Sequence, residues 1–260
     1  MDTRNFIEKQ LNFIEKVYDL HKEIMDLDES LKNLHPIAMV ENNTFYVFDI
    51  NQPNYNYEFI MKYPTPMPIP EKALASFPLD FYQNKATAII SASELENPDT
   101  LVYVYHEFVH CYQWNHCEQK LKSLLSIEKQ EQQKNNFAWE INYPFPYTNN
   151  FFISSTMELN DSFIENEYEL FKQYHIKIKE FINETDYEYM IWQEWKEGYA
   201  RYVENLIRIK LGMKENSGIL SPPFNRVCFY EIGSKYISIL FNADNSLCGD
   251  LEKLFYKMMC

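Results

Sequence analysis

At 260 residues, 46% hydrophobic and 17% aromatic, the chain can bury a sizeable core and lies far from the composition of a disordered protein. A net charge of -14 without a basic, aromatic-interleaved stripe argues against a nucleic-acid partner, and five glycines with no GxGxxG or Walker-type run argue against nucleotide binding. No stretch approaches the roughly 18 apolar residues of a membrane span, the N-terminal MDTRNFIEKQLNFIEK has no signal-peptide pattern, and the five cysteines lack CxxC spacing, so the expectation is a reduced, cytoplasmic protein with no membrane association.

In chain order, apolar residues from Phe13 to Leu34 recur at alternating spacings of four and three, which predicts one long amphipathic helix over residues 2–34, packed along its own domain. TFYVFDI and YEFIMKY, separated by NQPNYN, predict a hairpin within 40–63, and Ala86 to Ala92 a further strand. PTPMPIP between them reads as a loop, because each proline removes a donor and fixes φ. Asn97, Pro98 and Asp99 then form a helix start: an N-cap, a first-turn proline and an acid that complements the helix dipole. Residues 118–135 read as a continuing or second helix, followed by a proline-broken aromatic loop in which Tyr143 to Phe152 can wall a cleft. Further helices are predicted over 155–182, 186–211 with Gly212 as its cap, 225–241 and 247–259. The sum is an α+β domain spanning 1–260, helix-dominated, with a small sheet ahead of the active helix and a soft lobe boundary near 118.

The helix after Asp99 carries His106-Glu107-Phe108-Val109-His110, an HExxH. Spacing of i, i+4 puts both imidazoles on one face, one turn apart, where they can bind a single Zn²⁺, with Glu107 beside them to take a proton from water. A zinc hydrolase needs a third protein ligand and an open fourth position. Within the later helix stands Glu197-Gly198, and a glycine inside a helix costs about 1 kcal/mol relative to alanine, which points to a close approach by another backbone or a ligand.

Here the chain resembles the gluzincin metallopeptidases, whose third ligand is a glutamate commonly set in EGxAxY; Glu197-Gly198-Tyr199-Ala200-Arg201-Tyr202 matches that pattern. The resemblance implies a zincin-like fold, zinc held by His106, His110 and Glu197, Glu107 as catalytic base, and cleavage of a peptide or small amide substrate. Gln113, three residues after His110, also follows gluzincin usage. The aminopeptidase branch places an oxyanion-stabilising Tyr in YxxG, which implies that role for Tyr230 in Tyr230-Glu231-Ile232-Gly233. Two departures stand out: His110 and Glu197 are 87 positions apart, which implies a helical insertion, and no GxMEN-type segment precedes HExxH, so aminopeptidase specificity is not carried over.

Alternatives remain at this level. His106, His110 and His116 also have metzincin spacing, with Ser154 to Met157 as a Met-turn, although Gln113 stands where the metzincin chain needs Gly. If the helix continues past Trp114, His116 lies about 600° around from His110, off the metal face. Glu194 is a second acid one turn before Glu197, and Cys111 points about 100° away from His110. Tyr230 reads equally as core, among Phe229, Ile232, Tyr236 and Ile239; Tyr199 and Tyr202 read as packing, His21, His35 and His175 as lone structural histidines, and Glu158, Glu165 and Glu169 as a solvated face. A non-catalytic binding protein with the same fold and a zinc hydrolase of a non-peptide substrate are the rival functions.

Overall fold

A computed structural model describes residues 3–51, 55–162, 168–218 and 220–260. The protein is α+β, mostly helical with one small mixed sheet, and forms two compact units: Met1–His116 with Leu206–Lys214, and Cys117–Asn205 with Glu215–Cys260. Among the described residues no helix is long and apolar enough to cross a membrane.

The first unit opens with α1 (Thr3–Ile24), shorter than its heptad seam suggests. The chain leaves the helix because Asp28 turns back on itself, its carboxylate accepting from the Ser30 amide and hydroxyl and starting a 3-10 turn over Glu29–Leu31. Five strands follow, β1 (Ile37–Glu41), β2 (Thr44–Asn51), β3 (Asn56–Pro64), β4 (Leu74–Leu79) and β5 (Lys85–Ser91), in the spatial order β3-β2-β1-β5-β4. β1 to β3 form an antiparallel meander and β4 to β5 a hairpin, joined by the parallel pairing of Ile37 to Val40 with Ala88 to Ser91. Pro78 is tolerated because β4 is an edge strand. Ala38, Val40, Val47 and Ile89 bury one face of the sheet, and Ile37, Met39, Ala88 and Ile90 of the opposite parity are as fully buried, so both faces are covered. β1 and β4 were not expected from the sequence as separate strands; their short apolar runs lack a turn signal of the strength of NQPNYN.

α2 (Thr100–Gln113) packs on β4 and β5. Its first residue, Thr100, lies three positions beyond Asn97, whose side chain instead accepts from the Asp99 amide at 3.0 Å. The middle of α2 is tied to α1 by the Tyr105 hydroxyl, which donates to the Val17 carbonyl. After Gln113 the helix widens into a π-turn over Trp114–Glu118 before α3 (Gln119–Leu124).

The second unit contains α3, α4 (Ser126–Gln133), α5 (Trp139–Asn142), α6 (Asn150–Ser162), α7 (Tyr168–Phe181), most of α8 (Glu184–Lys210), α9 (Val227–Ala243) and α10 (Leu251–Met259). The single helix expected over 155–182 is described as α6 and α7; its middle, with Glu165, lies outside the described residues. Gly212 takes φ 67°, and the Met213 amide donates to the Arg208 carbonyl, a glycine cap of the expected kind.

α8 is held by a half-buried charge network. Lys196 Nζ donates to Glu118 Oε1 at 2.6 Å and to Glu140 Oε2 at 2.7 Å, and Lys122 also pairs with Glu140. Burial alone would raise the Glu140 carboxyl, but Lys196 and Lys122 beside it outweigh that and hold it at about 2. A carboxyl depressed in the folded state adds stability that is complete above its unfolded value and fades as pH falls toward its folded one. Glu140→Gln is therefore expected to cost roughly 2–3 kcal/mol at pH 7. Urea melts of both proteins should show the gap narrowing between about pH 4.5 and 2; a pH-independent gap would mean that packing, not charge, is lost.

Candidate metal centre

His106 and His110 stand one turn apart on α2, both buried, with ring centroids 5.0 Å apart. His110 Nδ1–H donates to Gln113 Oε1 at 2.8 Å, and Gln113 is fully buried. That bond fixes the ring and leaves Nε2 as the nitrogen with a ligating lone pair, the arrangement that outer partners impose on metal-binding histidines. Glu107 lies between the two, 7% exposed.

Glu197 is half-buried on α8, and its neighbourhood explains the helix-interior glycine. A Cβ on Gly198 would lie 2.7 Å from the backbone of Gly233 on α9, and one on Gly233 would lie 2.2 Å from the Glu194 carbonyl oxygen. The two glycines are the contact point of two helices whose backbones nearly touch. The close approach read from Gly198 is thus another backbone, and the Gly of YxxG has a packing duty.

The candidate ligand atoms of His106, His110 and Glu197 all lie within 4.8 Å of one another. Two imidazoles and one carboxylate are a donor set suited to Zn²⁺, and separations of this size are compatible with a common centre at bonds of about 2.0–2.2 Å. Glu107 is not among the three. Neither is His116, which is exposed, stacks on Tyr112 with centroids 3.8 Å apart and has its Nδ1 2.8 Å from the Tyr112 carbonyl. Cys111 is buried and also outside the group.

Glu194 is occupied elsewhere: its Oε2 accepts from His175 Nε2–H at 2.7 Å, both side chains being buried. His175 Nδ1 faces the Phe171 carbonyl, so both ring nitrogens meet acceptors and the ring is best satisfied as a cation. Burial opposes that charge, but the Glu194 carboxylate overcomes it and raises the His175 pKa. The sequence reading missed this pair, as it missed Lys196 with Glu118 and Glu140; separations of 19 to 78 positions carry no periodic signal. His35 is a buried ring pushed down to about 4 by desolvation, lying edge-on to Phe108, and His21 Nε2–H donates to the Leu31 carbonyl at 2.9 Å.

Tyr230 is half-buried, unlike Phe229, Ile232, Tyr236 and Ile239, and so does not share their core face. Its ring is flanked by the guanidinium carbons of Arg201 and Arg226, each 5.8 Å from the centroid. Tyr199 is fully buried and Tyr202 half-buried, both against Phe241. In the 143–152 segment, Phe145 and Phe152 are buried around Phe229, while Tyr143 donates to Asp186 and Tyr147 reaches Tyr189. Much of that segment is core of the second unit rather than free wall. Glu158 and Glu169 are exposed.

Gln113 offers a direct test of the metal reading. Gln113→Ala is expected to weaken zinc affinity by about 10–100-fold. Gln113→Glu, which keeps an acceptor for Nδ1–H, should retain it in competition with a chromogenic chelator. Equal affinity in all three proteins would show that the Gln113 contact does not support a metal-ligating His110.

Compared with protein-family models, with curated proteins and with solved structures, the chain gives no match.

Proposed function

We propose that the protein is a zinc-dependent hydrolase of gluzincin type that cleaves an amide bond, most naturally in a peptide. The observation that carries this reading is the grouping of His106, His110 and Glu197 next to a buried Glu107 that is not one of the three. A structural zinc site has no need of that extra carboxylate. Zinc, when bound, supplies Lewis acidity: it lowers the pKa of water toward neutrality and polarises a carbonyl.

The chain's own residues do the rest. His106, His110 and Glu197 would hold the metal, and Gln113 keeps the His110 ring in register. Glu107 takes a proton from the attacking water and returns it to the leaving nitrogen, which would otherwise depart as an unstable amide anion. Tyr230 would donate its hydroxyl to the developing oxyanion; Arg201 and Arg226 each stand 5.8 Å from its ring centre.

Metal analysis of the purified protein, beside Glu197→Ala and His116→Ala, tests the assignment. The wild type and His116→Ala are expected to hold one zinc per chain, and Glu197→Ala to lose it on dialysis. Loss in His116→Ala with retention in Glu197→Ala would overturn the gluzincin reading. The zinc-loaded protein should release new amino termini from a mixed peptide pool, and the apo protein should not.

A further inference from the structure

In the first unit a cavity of about 450 Å³ opens beside α1, the chain that follows the 3-10 turn, and the start of β5. Its size is that of a small-molecule site, about 300–1,000 Å³. Lys22, Lys32 and Lys85 all line it. Those three come from separate elements, so their convergence is not the solvated face of one helix. The lining itself holds these three lysines against one carboxylate, in a chain of net charge -14.

The one carboxylate in the lining is already committed. Asp49 Oδ2 accepts from the Tyr82 hydroxyl and from Lys85 Nζ, both at 2.7 Å, and Oδ1 accepts from the Ile50 amide. Lys22 and Lys32 pair with Asp19 and Glu29, carboxylates outside the lining, through side chains that are 44–74% exposed. Exposed pairs of this kind hold weakly and can exchange for a better-placed anion.

The remaining lining is His21 and Asn33 together with an aromatic and aliphatic part. Lys22 Nζ stands 4.2 Å from the centre of the Tyr18 ring, so a cation and an aromatic face are presented together. Tyr55, also in the lining, is 63% exposed at φ 51°, a left-handed backbone that bulky residues seldom adopt. Met25, Leu34 and Ile50 complete the apolar part.

We propose that this cavity binds a small aromatic anion, a carboxylate or phosphate ester held by Lys22 and Lys32 with its ring against Tyr18 and Tyr55. The site belongs to the first unit alone and does not depend on the metal chemistry.

Calorimetry on the full chain at low salt, with chelator present to keep anions from any metal, tests it with 1-naphthyl phosphate, 1-naphthoate, 1-naphthol and inorganic phosphate. At least one naphthyl anion is expected to bind about tenfold or more tighter than 1-naphthol, and the stronger of the two identifies the anion source. Lys22→Glu/Lys32→Glu should reduce that anion to the level of naphthol, with Lys22→Gln/Lys32→Gln intermediate and the melting temperature little changed in either. Tyr55→Ser should weaken the anion and naphthol by a similar factor. The proposal is overturned if anions and naphthol bind equally, if the preference survives both lysine pairs, if inorganic phosphate binds as tightly as its naphthyl ester, or if no probe binds at millimolar concentration.

Discussion

Glu107→Gln is expected to keep one zinc per chain and to lower kcat by up to about 10⁴-fold, the upper part of the range for general acid–base catalysis. The upper part applies because this one carboxylate would act twice, first accepting a proton and then delivering it. A loss of that size corresponds to about 5 kcal/mol in the barrier. Glutamine has almost the same shape, so a side chain only 7% exposed is replaced without opening a cavity. Fold and metal should therefore persist while turnover does not. Zinc content, melting temperature and single-turnover hydrolysis on the same preparation check it. Loss of zinc would make Glu107 a ligand or a support, and full activity would remove it from the mechanism.

Gly233→Ala is expected to lower stability by roughly 2–3 kcal/mol, a fall in Tm of about 5–10 °C for a chain of this length. The usual helix-propensity gain from Gly to Ala, about 1 kcal/mol, works the other way. It is outweighed because the new Cβ would lie 2.2 Å from the Glu194 carbonyl oxygen, and backbone cannot swing aside as a side chain does. The displaced helix is α8, so zinc affinity should fall as well, through Glu197. Gly218→Ala is the control: a Cβ there meets nothing within 4 Å, and Tm should hardly move. An unchanged Tm for Gly233→Ala would mean that α8 and α9 can part at no cost.

Much of the helical framework was legible because its signals are local. Gly212 and the 3.6-residue periodicity mark α8 within a residue or two, and the i, i+4 spacing of His106 and His110 puts them on one face whatever surrounds them. α1 was overextended because its heptad seam runs on through Leu27 and Leu31, while the turn that follows it is set by the local bonds of Asp28 to Ser30. Gly198 announced a close approach but could not say to what; the answer, Gly233, lies 35 positions on. The partners of Lys196 and His175 were illegible for the same reason: a long-range ion pair leaves no periodic trace in the chain.

The mixed sheet has a consequence for the order of assembly. β4, β5 and α2 are contiguous in sequence, and α2 rests on the two strands that immediately precede it. The pair of imidazoles therefore gains its platform from short-range contacts, whose closure entropy is small. The β1 to β3 meander is a second local product. The parallel backbone pairing of Ile37 to Val40 with Ala88 to Ser91 joins them, and among the strand pairings it closes the longest loop in the sheet. The sheet's slowest closure is therefore expected there, so a substitution that weakens β1 against β5 should slow folding more than one within either hairpin, as stopped-flow refolding rates would reveal.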